Sequence, residues 1–517
     1  MKVTRWPALT IFATLIVAAL LLWETDDKGP QTQIFERNEA LLVGTEKDLS
    51  STWYCVAGTV GGSEIANHEI LLGNPSNISS EVSITVVPVL APRQANLEGE
   101  EIEDKGLPKI LQLPSATTEI WIPERSMISV ELSEIQGVSG EFASAFIQSS
   151  LGNLVVEHKL SGQFGSSQKP CASNASTEWN FAAGTTRAGA REMISIFNPF
   201  PDNAVLDITF SSDGRTRRPE AYSGIVLPPD SLIPIDITEV VTLAETVSTR
   251  IETRIGRVVA ERTLYFGDEF QPYGLSTEIG SPSLNDLWVF PGGFGSVEAE
   301  SLIVYNPSSS LEANVDIEII SDIESGPYIE PINISIKPGS SEEVAFQVSN
   351  GELQETRAID VSSRIPRGVP FWLVVRSLND IPVVSERSVL SFLSGTQLSG
   401  SNLGVNVSGK EHFSLVSSSE GKLAITHPAS DRLTLVQLFA YAGGNVYESQ
   451  VIEVSARSRK IVDLQQLGIP DNSVVRISSS EPVSIERYLG SQTEGEWSRL
   501  PIASNSLIGL FVEATGY

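Results

Sequence analysis

The chain has few of the residue types that most often carry chemistry in active sites. Its 517 residues include only two cysteines and four histidines. The histidines lie far apart in the sequence, at His68, His158, His412 and His427. The zinc-protease, nucleophile-elbow, Walker A and dinucleotide-binding motifs are all missing from the sequence. The sequence therefore predicts no catalytic residues, no cofactor and no metal ion, and we expect a protein that is not an enzyme.

Basic residues are scarce relative to acidic ones. There are 35 Lys and Arg against 64 Asp and Glu, which gives a net charge of -29. This excess of negative charge argues against nucleic acid as a partner. The acidic run at residues 98–104 lacks the alternating ligand spacing of a calcium loop, so we expect it to be solvated. An apolar fraction of 41% is enough to build hydrophobic cores, which excludes a disordered stalk.

Long hydrophobic runs are absent except at the N-terminus, where residues 7–23 are apolar. About 17 residues at about 1.5 Å each nearly cross a bilayer core about 30 Å thick. Lys2 and Arg5 precede the run and acidic residues follow it, which predicts a single transmembrane signal anchor with its N-terminus inside. The rest of the chain would then be extracytoplasmic. A cleaved signal peptide is the alternative, but the run ends in Leu20–Trp23 without a small-residue cleavage site.

The two cysteines are Cys55 and Cys171. An even number of cysteines in an exported chain usually forms disulfides, so we predict that these two are bonded. The bond would join the end of the first repeat described below to its beginning. Two unrelated buried thiols are the alternative interpretation.

A motif occurs four times along the chain. In three copies a strand that opens with tryptophan leads to a second strand that ends in Asn-Pro. The fourth copy lacks the tryptophan and has His427-Pro428 instead of Asn-Pro. A period of about 110–125 residues corresponds to one small domain. The motif residues in the first three copies are Trp53, Trp179 and Trp288, and Asn74, Asn198 and Asn306.

Each repeat shows the period-two alternation of strands that have one buried face. In the third repeat Ala313, Val315 and Ile317 share a face, with Asn314 and Asp316 opposite. About seven short strands in about 100 residues predict an all-β fold of tandem immunoglobulin-like β-sandwiches after one transmembrane helix. A β-propeller with two blades per repeat is the alternative.

The repeats and the segments between them predict the domain organisation. Short stretches rich in Ser, Gly and Asn, around residues 162–174, 274–285 and 395–409, read as linkers, and sandwiches joined in this way predict a rod. The boundaries are a cytoplasmic tip and anchor at 1–30, a linker at 31–50, repeats at 51–168, 175–275, 285–395 and 405–492, and a C-terminal tail or extra strand at 493–517.

An acidic residue followed by a base occurs in a late strand of every repeat. The base shares a strand face with apolar residues, so we expect it to lie toward the apolar side and the acid toward solvent or a neighbouring domain. A structural role is one interpretation of these pairs, and a repeated ligand contact is the other. The pairs are Glu157 and His158, Glu261 and Arg262, Glu386 and Arg387, and Glu486 and Arg487.

The predicted anchor, the opening Trp53–Gly58 and the Lys169-Pro170-Cys171 segment before Trp179 together resemble a known family. It is an actinobacterial family of exported, membrane-anchored proteins known only as a domain of unknown function. The resemblance covers roughly residues 50–515. It implies a cell-envelope protein and carries no catalytic residues to transfer.

Three classes of function remain open. The first is a non-catalytic protein of the cell envelope, a membrane-tethered rod with structural or protein-interaction roles. The second is an array of carbohydrate-binding modules on wall glycans, which needs exposed aromatic rings, and Trp53, Trp179 and Trp288 are the candidates. The third is an accessory subunit or an enzyme of envelope glycan metabolism with dispersed carboxylates.

Overall fold

The computed structural model describes residues 52–500, except for 61–65, 91–106, 108–109, 150–153, 268–273, 294–298, 323–328, 348–357, 366–368, 394–395, 419, 429–430 and 490–495. Within that part of the chain the regular elements are strands and four short 3-10 helices, which confirms the all-β class. No helix there is long and apolar enough to cross a membrane. The predicted anchor at 7–23 and the acidic run at 98–104 lie outside the described residues. The 3-10 helices are Leu132–Glu134, Glu220–Tyr222, Ile237–Glu239 and Ser362–Arg364.

Two sheets form in the first repeat. One has the strand order β1-β7-β3-β4, with β5 also paired to β3, and the other has the order β6-β2-β8-β9. The strands are β1 (Thr52–Cys55), β2 (Asn67–Asn74), β3 (Ser80–Leu90), β4 (Leu111–Gln112), β5 (Ala116–Ile122), β6 (Ser126–Glu131), β7 (Phe142–Ser149), β8 (Val155–Gly162) and β9 (Gly165–Pro170).

The second repeat forms the same pair of sheets. Their orders are β10-β16-β12-β13, with β14 on β12, and β15-β11-β17-β18. The strands are β10 (Glu178–Gly184), β11 (Ala190–Asn198), β12 (Ala204–Ser212), β13 (Arg215–Arg217), β14 (Ile225–Leu227), β15 (Ser231–Asp236), β16 (Val247–Ile255), β17 (Val259–Phe266) and β18 (Gly274–Ile279).

The third repeat again contains two sheets, with the orders β19-β25-β21-β22 and β24-β23-β20-β26-β27. The strands are β19 (Leu287–Phe290), β20 (Ala299–Asn306), β21 (Ala313–Ser321), β22 (Ile332–Ile336), β23 (Ser340–Gln347), β24 (Ile359–Asp360), β25 (Phe371–Ser377), β26 (Val384–Leu393) and β27 (Thr396–Leu403).

One long strand joins the two halves of the fourth repeat. The first part of β34 pairs with β28 and β30, and its second part pairs with β29 and β35. The strands are β28 (Gly409–Val416), β29 (Gly421–His427), β30 (Thr434–Ala442), β31 (Asn445–Glu448), β32 (Ile452–Val454), β33 (Ser458–Asp463), β34 (Ser473–Leu489) and β35 (Glu496–Arg499).

Each repeat encloses a core between its two sheets, which is a sandwich-like arrangement. In the first repeat Ile70 and Val156 from one sheet pack with Val82, Ile84 and Ile147 from the other. The predicted disulfide closes this repeat, because Cys55 at the end of β1 is bonded to Cys171 just after β9, with 4.8 Å between their Cα atoms. The bond spans 116 positions, and chain entropy alone assigns such a loop about 4–5 kcal/mol of stabilisation.

The asparagine of each Asn-Pro motif is a buried structural group. The Asn198 amide Nδ2 donates to the carbonyls of Asp202, Leu227 and Pro228, and its Oδ1 accepts from the Phe200 N–H. Asn74 and Asn306 make the equivalent bonds. These bonds join the turn after the Asn-Pro strand to the turn after β5, β14 or β22. They supply partners for carbonyls that have none in the ladder.

The predicted linkers are strands, and this prediction was wrong. The segments contain β9, β18 and β27, which pair with β8, β17 and β26, the strands that carry the acid–base pairs. Within the described residues β9 packs against β18, β18 against β27, β27 against β35, and β35 against β9. The fourth repeat therefore returns to the first. A rod in which each repeat contacts only its chain neighbours does not account for these contacts.

Candidate functional site

The motif tryptophans serve mainly as core residues. Trp179 and Trp288 are fully buried, and their indole Nε1 groups donate to the carbonyls of Val258 and Val383 at 2.8 and 2.9 Å. Trp53 is half-buried. In the fourth repeat the buried His412 takes this place, and its Nε2 donates to the Val483 carbonyl at 3.0 Å. Burial lowers the pKa of His412 to about 4, so the ring is neutral at pH 7.

The acid–base pairs converge in the interior. All eight side chains are at most 2% exposed, so of the two expected positions for the acids the structure shows the one against a neighbouring repeat, away from solvent. The base of each repeat reaches the acid of the next repeat instead of the acid beside it in sequence. The contacts are His158 Nε2 to Glu261 Oε1 at 2.9 Å, Arg262 Nη2 to Glu386 Oε2 at 2.6 Å, Arg387 Nη2 to Glu486 Oε2 at 3.1 Å, and Arg487 Nη2 to Glu157 Oε2 at 2.8 Å.

These four contacts form a closed ring of ion pairs, because the last one joins the fourth repeat to the first. Apolar contacts accompany the closure, since Leu71 and Val155 of the first repeat pack with Phe413 and Leu415 of the fourth. The base also lies toward apolar groups, as predicted, with the Arg262 guanidinium 5.6 Å from the centre of the Phe181 ring. Each pair therefore joins two repeats.

Backbone amides complete the coordination of each carboxylate. They come from the first strand of the repeat that precedes the acid in the ring, or from the residues that follow that strand. Glu261 accepts from the N–H groups of Val56 and Ala57 at 3.2 and 3.1 Å. The equivalent donors are Ala182 to Glu386, Gly292 to Glu486 and Leu415 to Glu157. A buried carboxylate that accepts from both a cation and an amide recovers much of the hydration it lost.

On the strand that pairs with the base-carrying strand, a second position in each repeat faces the ring of ion pairs. It holds His68, Glu192, Glu300 and Gly421, each two residues before the position opposite the base. In the first two repeats this position explains the glycine that follows the tryptophan motif. A Cβ on Gly58 would lie 2.4 Å from the His68 ring, and one on Gly184 would lie 2.5 Å from the Glu192 carboxylate. In the fourth repeat the second position is Gly421, which has no side chain. There the residue equivalent to the motif glycine is Ser417.

The inner strands add polar groups that the sequence did not point to. Lys169 on β9 donates to Glu278 Oε2 on β18 at 3.1 Å and to the Ser401 carbonyl on β27 at 3.2 Å. Asn402 on β27 donates from Nδ2 to Glu486. These residues lie in the predicted linkers. Lys169, Glu278 and Asn402 lie directly opposite His158, Arg262 and Arg387 on the paired strands. This register is the signal that could have identified the three polar residues.

Burial dominates the electrostatics of the acids in this network. It raises the pKa of Glu192 to about 8, against the opposing charge of Arg262, and it raises the pKa of Glu300 and Glu486 above the usual value. At Glu261 burial also acts to raise the pKa. The charge and hydrogen bond of His158, with bonds from Thr277 and Ala57, outweigh it and hold the pKa below its usual value.

The network is suited to holding repeats together. Its side chains are buried, so a substrate would reach them only if the repeats separated. In the described part of the chain, no group of three or more His, Cys, Asp or Glu side chains is placed to hold a metal ion.

Comparison with known proteins leaves the family open. No protein-family model matches the chain, and no curated protein matches it. One solved structure that matches, the crystal structure of Thermotoga maritima 1070, is 20% identical over 24% of this chain and 95% of that chain. Its TM-score is 0.17.

Proposed function

We propose that this chain is a non-catalytic protein of the cell envelope, tethered to the membrane by residues 7–23. Its immunoglobulin-like repeats would form a closed extracytoplasmic body with structural or protein-interaction roles. The apolar run with basic residues on its N-terminal side supports the tether. The pair of sheets with matching order in the first three repeats supports the sandwich assignment.

The observation that carries this proposal is the use of all four acid–base pairs between repeats. A ligand contact repeated four times would need exposed groups, whereas these side chains are at most 2% exposed and pair with one another. Buried ion pairs add little net stability, but breaking one leaves a charge without a partner. Such pairs therefore specify which surfaces of the repeats meet, and this suits a scaffold of defined shape.

The test is the location and orientation of the full-length protein in cells. Protease added to intact cells should remove all mass beyond about residue 30, because only a short tip would remain inside. A chain that lacks residues 1–30 but carries a cleavable export signal is the matched control, and it should appear in the medium. A wild-type mature form that is free in the medium and starts near Trp23 would contradict the tether.

A second candidate function, binding of wall glycans, is favoured by one residue outside the motif. Trp121 on β5 is 64% exposed, and its strand partner on β3 is the exposed Glu81. Glu119 and Thr117 lie on the same exposed face of β5. An exposed indole can stack on a sugar ring while carboxylates and hydroxyls bond to its hydroxyl groups.

Sedimentation of the protein with purified wall polymer tests this second candidate. Trp121→Ala should reduce the bound fraction at least about tenfold if the indole stacks on sugar, since one good anchor is worth about 2 kcal/mol. Leu243→Ala is the matched control, because Leu243 is 74% exposed on another repeat. Equal binding by wild type and Trp121→Ala would exclude this site.

A further inference from the structure

The joint between the first and second repeats differs from the other three. Its base is a histidine, His158, at the position where the other repeats carry Arg262, Arg387 and Arg487. Arginine stays charged at any pH that a cell meets, whereas histidine gains or loses its proton near neutrality. One joint of four is therefore built on a base that also has a neutral form.

The hydrogen bonds around His158 determine its protonation state. His68 Nδ1 lies 3.2 Å from the Ala143 carbonyl, which can only accept, so Nδ1 carries a proton. Burial and the charge of His158 lower the pKa of His68 to about 3, so its other nitrogen is a bare acceptor. That Nε2 lies 3.1 Å from His158 Nδ1, which must then donate.

The other ring nitrogen of His158 must donate as well. Its Nε2 lies 2.9 Å from the Glu261 carboxylate, whose pKa is held below its usual value, so the carboxylate is ionised and can only accept. A histidine that donates from both nitrogens is an imidazolium. The chain from Ala143 through His68 and His158 to Glu261 therefore requires a cation at His158, as an arginine would supply.

Charged and polar groups on the neighbouring strands also face this site. On β9 the cross-strand neighbour of His158 is Lys169, whose ammonium is paired with Glu278 on β18. On β18 Thr277 donates to Glu261 Oε1. Beyond the end of β1 the Val56 and Ala57 amides donate to Glu261 Oε2. Glu261 thus has several partners, but His158 is the one that supplies a removable charge.

We propose that the contact between the first two repeats is a pH-dependent joint, controlled by the proton on His158, whereas the bases of the other three joints are arginines that keep their charge. When His158 loses its proton as the pH rises, one N–H remains for two acceptors, His68 Nε2 and Glu261. The charged bond to Glu261 is then lost or the bond to His68 is lost. The contact between the first and second repeats is therefore stronger at lower pH and weakens as the pH rises. Below about pH 3 protonation of His68 removes its acceptor and loosens the joint again.

Hydrogen exchange of single backbone amides in the full-length protein tests this proposal. The Val56 and Ala57 amides report on the histidine joint, and the Leu415 amide, bound to Glu157, reports on the arginine joint that has Gly421 where the second repeat has Glu192. After correction for intrinsic exchange rates, the protection of Val56 and Ala57 should fall about tenfold or more between about pH 5 and pH 9, the loss expected for one charged hydrogen bond. Leu415 should keep its protection.

Two variants separate the role of the proton from a general loss of structure. His158→Gln has no charge at any pH, so its Val56 and Ala57 amides should exchange at the high-pH rate throughout. His158→Arg combined with His68→Gly copies the arrangement of Arg487 and Gly421 in the fourth repeat, and should be protected at every pH. Should this variant retain the pH dependence of the wild type, or should Leu415 lose protection together with Val56, the proposal is overturned.

Ring nitrogen shifts of labelled histidine provide a readout that does not depend on folding stability. The chain has only four histidines, so their signals can be assigned by substitution. His158 should show two protonated nitrogens at about pH 6 and one at high pH, whereas His68 should show one at both. A neutral His158 at about pH 6 would contradict the hydrogen-bond assignment.

Discussion

Arg487 in the fourth repeat holds Glu157 in the first with two parallel hydrogen bonds, from Nη1 to Oε1 at 3.1 Å and from Nη2 to Oε2 at 2.8 Å. The two residues are 330 positions apart in sequence. Paired bonds of this kind add geometric specificity to the attraction of opposite charges. No short chain segment connects the first and fourth repeats, so non-covalent contacts hold this joint, and both residues of this pair are fully buried in it.

We therefore expect Arg487→Ala to destabilise the protein by about 3–5 kcal/mol, because the buried Glu157 carboxylate loses its cation. Urea unfolding of the full chain measures this change. Arg218→Ala is the matched control, since Arg218 is 49% exposed in its pair with Glu252 and should contribute about 1 kcal/mol or less. Equal midpoints for the two variants would mean that the buried pair does not hold the joint.

Reduction of the Cys55–Cys171 disulfide should lower stability by up to about 4–5 kcal/mol, because the unfolded chain regains the freedom of a loop closed over 116 positions. Mass spectrometry without reduction should show the two cysteine peptides joined. A protein in which both thiols react freely with an alkylating reagent under native conditions is the outcome that would contradict the bond.

Asn198→Ala should cost about 1–3 kcal/mol, since three carbonyls in two turns lose the amide that they share. Thermal unfolding measures the effect. The neighbouring Asn203→Ala is the control, because Asn203 is exposed and should change stability by less than about 0.5 kcal/mol. An unchanged melting temperature for Asn198→Ala would show that the two turns are stable without the amide.

Glu192 should make stability depend on pH. Burial raises its pKa from 4.5 to about 8 in the folded protein, so the folded state binds the proton more tightly than the unfolded state. The stability that this proton contributes is fully present below pH 4.5 and is lost as the pH rises to about 8, by at most about 1.4 kcal/mol per pH unit.

The variant Glu192→Gln provides the comparison, because an amide cannot ionise and resembles the protonated acid. Wild type should lose stability relative to this variant as the pH rises from about 5 to about 8, and the difference should stay constant above that range. Parallel stability curves for the two proteins across this range would show that Glu192 is ionised already at low pH.

Local features of this chain could be predicted from its sequence. Alternation along residues 313–319 identified strand β21 and its buried face, since side chains on a strand point to opposite sides in turn. The expectation of export and the even cysteine count predicted the bond between Cys55 and Cys171, which the structure contains. The first inference depends only on residues close together in sequence. The second depends on the fact that the chain has only two cysteines, so no other pairing competes.

The partners of the acid–base pairs were decided only by the tertiary structure. Arg262 could have paired with an acid in its own repeat, and its choice of Glu386 follows from how the second and third repeats pack. The segments read as linkers are rich in Ser and Gly, yet β9 and β18 are strands because their backbone groups pair with β8 and β17. Small residues suit strands that crowd together at the centre of the molecule.

The sequence by itself therefore determined the repeats, the strands and the disulfide, because period and composition act over short distances along the chain. Closure of the four repeats on one another was decided by the shapes of whole sheets. The packing of each repeat on the next brings Arg487 to Glu157, and no local pattern in the sequence encodes that contact. It arises from the sum of many side-chain contacts between faces that are far apart in sequence.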